Sequence, residues 1–179
     1  MGRTDRFRRA VAALAGAALL LGSMAAGAAL LDPPEGGYKE DATPPPPAFN
    51  LDKLIPIPMP VTAATLTLWM DPATLTLGQD SVVRYVYVVR SPSGNYSAIY
   101  EGIRCATGEV KVYARHFTDG GWRPVAEPKW QSLFDQVVGR YSMPIAKAGV
   151  CRDAAPNGSV RRILMDLRGG DNTQIDRRP

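Results

Sequence analysis

The sequence predicts an α+β domain: a single antiparallel β-sheet, a meander of about five or six strands, with a C-terminal helix packed on one face. Three observations carry that prediction. Between Thr62 and Val125, apolar residues recur with period two in short runs. The runs are separated by turn-forming segments, Ser91-Pro92-Ser93-Gly94-Asn95, Ala106-Thr107-Gly108 and Asp119-Gly120-Gly121, which make three consecutive hairpin connections. After residue 159 the period becomes helical, with Val160, Ile163, Leu164 and Leu167 at i, i+3, i+4 and i+7.

Thr62 to Met70 opens the sheet, with Leu66, Leu68 and Met70 on one side and Thr65, Thr67 and Trp69 on the other. Asp71-Pro72 follows; an Asp able to cap and a proline suited to the first helical position predict a single helical turn ending by Thr76. Gly78 and Asp80 mark the next turn. Ser81 to Arg90 carries β-formers on both faces, which places it in the centre of the sheet. In Tyr96 to Cys105, Ile99, Glu101, Ile103 and Cys105 share a face; in Glu109 to Phe117, Val110, Val112, Ala114 and His116 do. A short strand around Trp122-Arg123-Pro124-Val125 completes the meander. Leu133 to Val138 predicts a turn or two of helix, stopped near Gly139. Ser159 is an N-cap for the last helix, and Gly169-Gly170 ends it. The polar tail, 169–179, is expected to be disordered.

The N-terminal residues bear on location. Arg3, Arg6, Arg8 and Arg9 precede an uncharged run of 22 residues, Ala10 to Leu31, which passes through Ala26-Gly27-Ala28. This is the pattern of a secretory signal, read as residues 1–28. Left uncleaved, the same run is long enough to act as an N-terminal inner-membrane anchor. Its Ala- and Gly-rich half contributes little to insertion. A lipid anchor needs a cysteine at the cleavage point, and the first cysteine is Cys105. Residues 29–60 read as a Pro-rich linker, since nine of the sixteen prolines fall between Leu31 and Pro60. Pro44 to Pro47 predicts a polyproline II spacer. Leu54-Ile55-Pro56-Ile57-Pro58 is too apolar for a free spacer and is expected to lie extended against the edge or core of the domain, 61–168.

Composition excludes some functions. The signal holds four arginines and one acid, so of 21 basic and 17 acidic residues 17 and 16 remain. The mature domain is nearly neutral, and nothing in its charge points to nucleic acid. Roughly 150 residues suffice for one domain with its own core. Two cysteines in an exported chain allow one disulfide, Cys105 to Cys151, and their separation is not that of a redox pair.

Several segments resemble the CNP1-like family of exported Gram-negative proteins. They are Asp71-Pro72-Ala73-Thr74-Leu75, Val83-Arg84-Tyr85, Arg90-Ser91-Pro92-Ser93-Gly94, Tyr100-Glu101-Gly102-Ile103-Arg104-Cys105 and Trp122, with Tyr38-Lys39-Glu40 and the lead into Leu54-Ile55-Pro56 upstream. The resemblance spans residues 38 to 151, and Tyr100 to Cys105 is its most specific part. It implies export, one domain and the Cys105–Cys151 pairing, and it brings no catalytic residue or ligand. A weaker likeness, of architecture alone, is to the surface-adhesin protein E group. Those proteins present an antiparallel sheet with a helix and bind host matrix proteins, but fold does not carry function.

Catalytic constellations are scarce. His116 is the only histidine, so a triad or a histidine-rich zinc site has no second ring; it reads as a strand-end polar residue. No nucleophile elbow, phosphate-binding loop or dinucleotide fingerprint occurs. Glu101, Glu109 and Asp119 are the carboxylates available for acid-pair glycan chemistry. Alternation puts Glu101 on the face of Ile99 and Ile103, where a buried carboxylate needs a partner. A structural ion pair with Arg84, Arg90 or Arg115 is the expected one, with a ligand-binding or catalytic acid as alternatives. Trp69, Tyr100 and Tyr113 are candidate surface contacts for a protein or glycan. The sequence thus predicts a non-enzymatic periplasmic domain without metal or cofactor, acting on an envelope protein or glycan through its sheet. A small carboxylate-based hydrolase and a surface adhesin are the alternative readings.

Overall fold

The computed structural model describes residues 38–59, 65–118 and 120–169. The predicted signal, residues 29–37 and 60 of the predicted linker, residues 62–64 of the predicted first strand and the tail beyond Gly169 lie outside the described residues. Among the described residues no helix is long and apolar enough to cross a membrane.

The sheet comprises β1 (Ile55–Ile57), β2 (Thr67–Leu77), β3 (Val82–Arg90), β4 (Tyr96–Arg104), β5 (Glu109–Phe117) and β6 (Gly121–Pro124), with β7 (Gln131–Ser132) beside β5. Each strand pairs antiparallel with its chain neighbour, which is the predicted meander. Helix α1 (Gly139–Ile145) runs into a π-helical turn, Ala146–Val150. A two-residue hairpin, β8 (Cys151–Arg152) with β9 (Ala155–Pro156), then leads to α2 (Val160–Gly169). As expected, Ser159 caps α2, its hydroxyl accepting from the Arg162 N–H at 3.3 Å, and Ile163 and Leu167 point into the core.

β3 is buried on both sides, and the two sides belong to different cores. Val83, Tyr85 and Tyr87 join Met70, Ile99, Ile103 and Val110 under the helices. Val86 and Val88 join Ala98, Tyr100, Tyr113 and Ala114 on the opposite face. The Cys105–Cys151 disulfide, Cα–Cα 5.7 Å, ties the end of β4 to the chain leaving the π-helical turn. It thereby staples helical layer to sheet, and closing a loop of this length stabilises by about 4 kcal/mol in the chain-entropy picture.

The second face has no helix to cover it, and the N-terminal segment Tyr38–Leu54 does so instead. Phe49, Leu51 and Leu54 pack on the core of that face, and Phe49 meets Tyr96, His116 and Trp122 edge-on with centroids 5.1 to 6.4 Å apart. Backbone groups fix the strap: the Asn50 N–H donates to Asp71 at 2.7 Å, and Arg90 donates to the Leu51 carbonyl at 2.9 Å. Its leading end is held by charge, with Glu40 accepting from Tyr113 at 2.7 Å and pairing with Lys111 and, at 3.6 Å, with Arg84. Burial draws the Glu40 carboxyl upward, but hydrogen bonds from Lys111 and Tyr113 together hold it below its ordinary value. The predicted linker is therefore, from Tyr38 on, part of the compact unit, which the sequence pattern starts only at 61. Its apolar end forms edge strand β1, as its composition suggests.

Three local expectations are corrected. The Asp71-Pro72 turn is not helical. β2 continues through it as a bulge, residues 72–75 lying between the pairs Asp71–Val86 and Thr76–Arg84. Thr74 closes the bulge by donating to the Asp71 carbonyl at 2.8 Å and accepting from the Val86 N–H at 2.9 Å. The second correction concerns β5, where Tyr113 is the extra residue of a bulge, so Val110 and Val112 face the helices while Ala114 and His116 face the strap. Third, α1 begins at Gly139, where the sequence pattern ends a helix. Asp135 organises the preceding turn by accepting from the N–H groups of Val137 and Val138. Gly139 is needed for close approach, since a Cβ there would lie 1.8 Å from the Leu133 carbonyl oxygen.

A strap that completes a core behaves unlike a linker. Phe49→Ala should lower the free energy of urea unfolding by about 2 kcal/mol. Unchanged stability would mean that the segment lies idle on the sheet.

Candidate functional site

Regular alternation along β4 turns Glu101 toward the helices, between Tyr85 of β3 and Val112 of β5. The side chain is 1 % exposed. One carboxylate oxygen accepts from the Tyr85 hydroxyl at 2.7 Å, the other from the Ser142 hydroxyl of α1 at 3.0 Å. Among the described residues no ion pair reaches Glu101, so the expected structural ion pair does not form. Register explains why. Arg84 stands opposite Gly102 and Arg90 opposite Tyr96, both on the strap face, where Arg84 is bound to Asp80 at 2.6 Å. Arg115 shares the helix face and attracts Glu101 only from beyond contact distance. Burial pushes the Glu101 carboxyl from its ordinary 4.5 up to about 7, against the opposing pull of Tyr85, Ser142 and Arg115. Burial and the neighbouring acid raise the Tyr85 hydroxyl well above its ordinary value. The pair is thus a hydroxyl that stays protonated beside an acid poised near neutrality.

Beyond α1 the helices leave part of this face open. A cleft of about 510 Å³ lies there, with Tyr87, Val89, Ile99 and Val112 from the sheet and Val138 and Tyr141 from the helical side. Glu101 and Arg115 line it as well, and Ser91, Asn95, Ser97 and Gln131 add polar groups. Glu101 is the one carboxylate in this lining. Arg115 is exposed and makes no hydrogen bond or ion pair among the described residues. Next to the cleft residue Val138, Val137 is 86 % exposed, and Phe134 in the same turn is 75 % exposed.

The other predicted positions lie elsewhere. Tyr100 and Tyr113 are 3 % and 6 % exposed beneath the strap, so neither is a surface contact. Gly102 makes room for Tyr113, since a Cβ there would sit 2.7 Å from its hydroxyl. Trp69 is half-buried, donates to Thr67 at 2.9 Å and lies under the Arg90 guanidinium, 5.6 Å from its centroid. His116 is packed among Phe49, Tyr96 and Trp122 under the strap, its Nδ1 buried without a partner. Glu109 is bound by Arg104 and by Thr107 at the β4–β5 turn, and Asp119 lies outside the described residues. Cys105 and Cys151 are joined as expected. No group of three or more His, Cys, Asp or Glu suited to a metal occurs among the described residues.

Sequence reasoning found Glu101 and named Arg115 among its neighbours, but it missed Tyr85, Ser142, Tyr141 and Gln131 as parts of one site. Tyr85 follows from strand register, which alternation alone leaves open. Ser142 and Tyr141 sit on a helix whose sequence, with Pro144 inside it, gives no helical signal.

The CNP1-like family pattern matches residues 34–168, from just before the strap to the last turn of α2. The chain belongs to the CNP1-like family. No match to it was found among curated proteins, and none among solved structures. The extent of the match agrees with the physical unit: a CNP1-like domain contains the strap that covers one sheet face and the helices that cover the other.

Ionising Glu101 costs folding free energy because the folded state holds its proton more tightly than the unfolded chain does. Stability should therefore be fullest below about pH 4.5 for this group, fall as pH rises toward 7 and stay reduced above, by at most about 3 kcal/mol. Glu101→Gln keeps an acceptor for one hydroxyl and removes the titration. In urea unfolding from about pH 5 to 8, the difference between variant and wild type should move in favour of the variant. Parallel stability curves would show that the acid is not held neutral by burial.

Proposed function

We propose that the chain works in the periplasm as a non-enzymatic binding domain of the cell envelope, and that it seats its ligand in the cleft over Glu101. The observation that carries this reading is the cleft itself, an opening between the helix-side face of the sheet and the turn that leads into α1. Its volume of about 510 Å³ falls within the range of small-molecule sites, and it combines apolar walls with a few convergent polar groups. Export is supported by the N-terminal sequence pattern and by the disulfide, a bond that persists in oxidising compartments.

Binding has more support than hydrolysis. Acid-pair glycoside cleavage sets two carboxyl groups roughly 5 to 10 Å apart, and this cleft offers Glu101 alone. Both Glu101 oxygens are already engaged by hydroxyls. The adhesin reading loses its aromatic platform, because the strap covers Tyr100 and Tyr113.

The reading is tested in two steps. Cell fractionation should find the chain in the periplasmic fraction with both cysteines resistant to alkylation. Purified protein should then be retained by immobilised envelope material. Ser97→Trp places a large side chain at an exposed strand position in the cleft, where it should abolish retention and leave the unfolding midpoint unchanged. Retention that survives this variant would move the binding surface elsewhere; a cytoplasmic chain with free thiols would end the proposal.

A further inference from the structure

The ligand's chemistry can be read from what the cleft leaves unsatisfied, accepting that it is a binding site. Four other cations of the sheet are engaged by acids or a carbonyl, and Arg123, opposite Arg115 on β6, lies over the Phe117 ring outside the cleft lining. Arg84 is bound to Asp80 and Glu40, Lys111 to Glu40, Arg104 to Glu109, and Arg90 to a strap carbonyl. Arg115 alone among these strand arginines faces the cleft without a hydrogen bond or ion pair among the described residues. A guanidinium presents a planar fork suited to a carboxylate, and a partner for it is the clearest vacancy in the lining.

The walls describe the remainder of the ligand. Val89, Ile99, Val112 and Val138 offer aliphatic surface, and Tyr87 and Tyr141, with ring centroids 6.1 Å apart, add two aromatic faces. Exposed Val137 at the rim extends the apolar surface outward. The single arginine of the lining matches one negative charge; a dianionic group such as a phosphate monoester would carry surplus charge toward Glu101. The apolar walls would be poorly used by a ligand that is hydroxylated throughout.

We infer that the cleft over Glu101 binds a small amphiphilic monocarboxylate, with Arg115 gripping the carboxylate and the valine and tyrosine walls enclosing an apolar body. Such an acid can be a free aliphatic acid or the carboxyl end of a larger envelope lipid.

The test is calorimetric titration of the purified protein with decanoate, decanol and decyltrimethylammonium below their aggregation limits. Decanoate should bind at least about tenfold more tightly than decanol, and the cation should bind least. Arg115→Gln should erase the preference for decanoate over decanol and keep the unfolding midpoint, since the side chain is exposed. Ser97→Trp should abolish binding of both. A long-chain acyl conjugate with a terminal carboxyl binding more tightly than decanoate identifies the larger lipid as the source, and equal binding identifies the free acid. Decanol binding as tightly as decanoate, or decanoate binding untouched by Arg115→Gln, overturns the inference and leaves the cleft as a binding site. Binding of envelope oligosaccharides or peptides at the cleft, with none of decanoate, also overturns the inference alone. Decanoate binding that survives Ser97→Trp removes both this inference and the proposed site.

Discussion

A single sheet with two apolar faces needs two covers, and this requirement governs the CNP1-like domain. β3 carries Val or Tyr on both sides, so neither of its faces could be left to water without exposing them. The C-terminal half of the chain supplies helices for one side only. The second cover has to come from upstream, and the Pro-rich segment suits the task because proline-rich chain makes little demand on backbone hydrogen bonds while crossing a sheet. What fixes its position is Glu40, which brings a negative charge to Lys111 and Arg84 at the end of the strap face. Without that acid, two cations would be left beneath the strap with Asp80 as their remaining neutralising partner. A buried pair broken on one side costs far more than the intact pair contributes.

The bulges follow from the same requirement. The extra residue at Tyr113 lets β5 place Val110 and Val112 under the helices and still return Ala114 and His116 to the strap side. The same shift turns Arg115 toward the helix face, so the cleft owes its cation to one inserted residue. In β2, the bulge after Asp71 brings Leu75 into the helix-side core while Asp71 stays on the strap face and accepts from Asn50. Each irregularity re-aims particular side chains and leaves the strand order unaltered.

The meander, the central strand and the last helix were legible in the sequence because they rest on local signals. These are period-two alternation, Gly- and Pro-bearing turns, and a capped 3.6-residue period at Ser159. Glu101 was legible for the same reason, since alternation alone put it on a buried face. The disulfide needed only a count and a compartment. What escaped was everything decided by pairing between distant segments. Asp71-Pro72 has the local chemistry of a helix start, but strand pairing on both flanks overrides it. The alternation of β5 reads as unbroken because a bulge residue with β propensity, Tyr113, leaves no local mark. The strap looked like a spacer because proline content reports backbone stiffness and says nothing of what the intervening Phe49 and Leu51 touch. Glu101's partners escaped because one depends on register and the other on α1, a helix stabilised by packing against the sheet.

Two acids on opposite faces, one half-buried and one buried, show how differently the domain uses charge. Glu40 is partnered by Lys111, Arg84 and Tyr113, and its carboxyl is held low, so its contribution is present above the ordinary carboxylate range and lost as pH falls. Glu101 has hydroxyl partners only, is held high, and weakens the fold as pH rises. The first arrangement is that of a structural clasp. The second is hard to justify by stability, because an apolar side chain of similar size between Tyr85 and Ile103 would fill the same volume with no ionisation cost, once the two hydroxyls had found other partners. A residue that breaks a local rule of core composition marks the part of a fold shaped by something other than stability. Here it sits beside an opening in the helix-side core, whose arginine makes no hydrogen bond or ion pair among the described residues. With its carboxyl raised to about 7 by burial, Glu101 competes less for that arginine near neutral pH than an ordinary, fully ionised carboxylate would. Were it ionised in a cation pair, as its position first suggests, the cleft would be electrically closed.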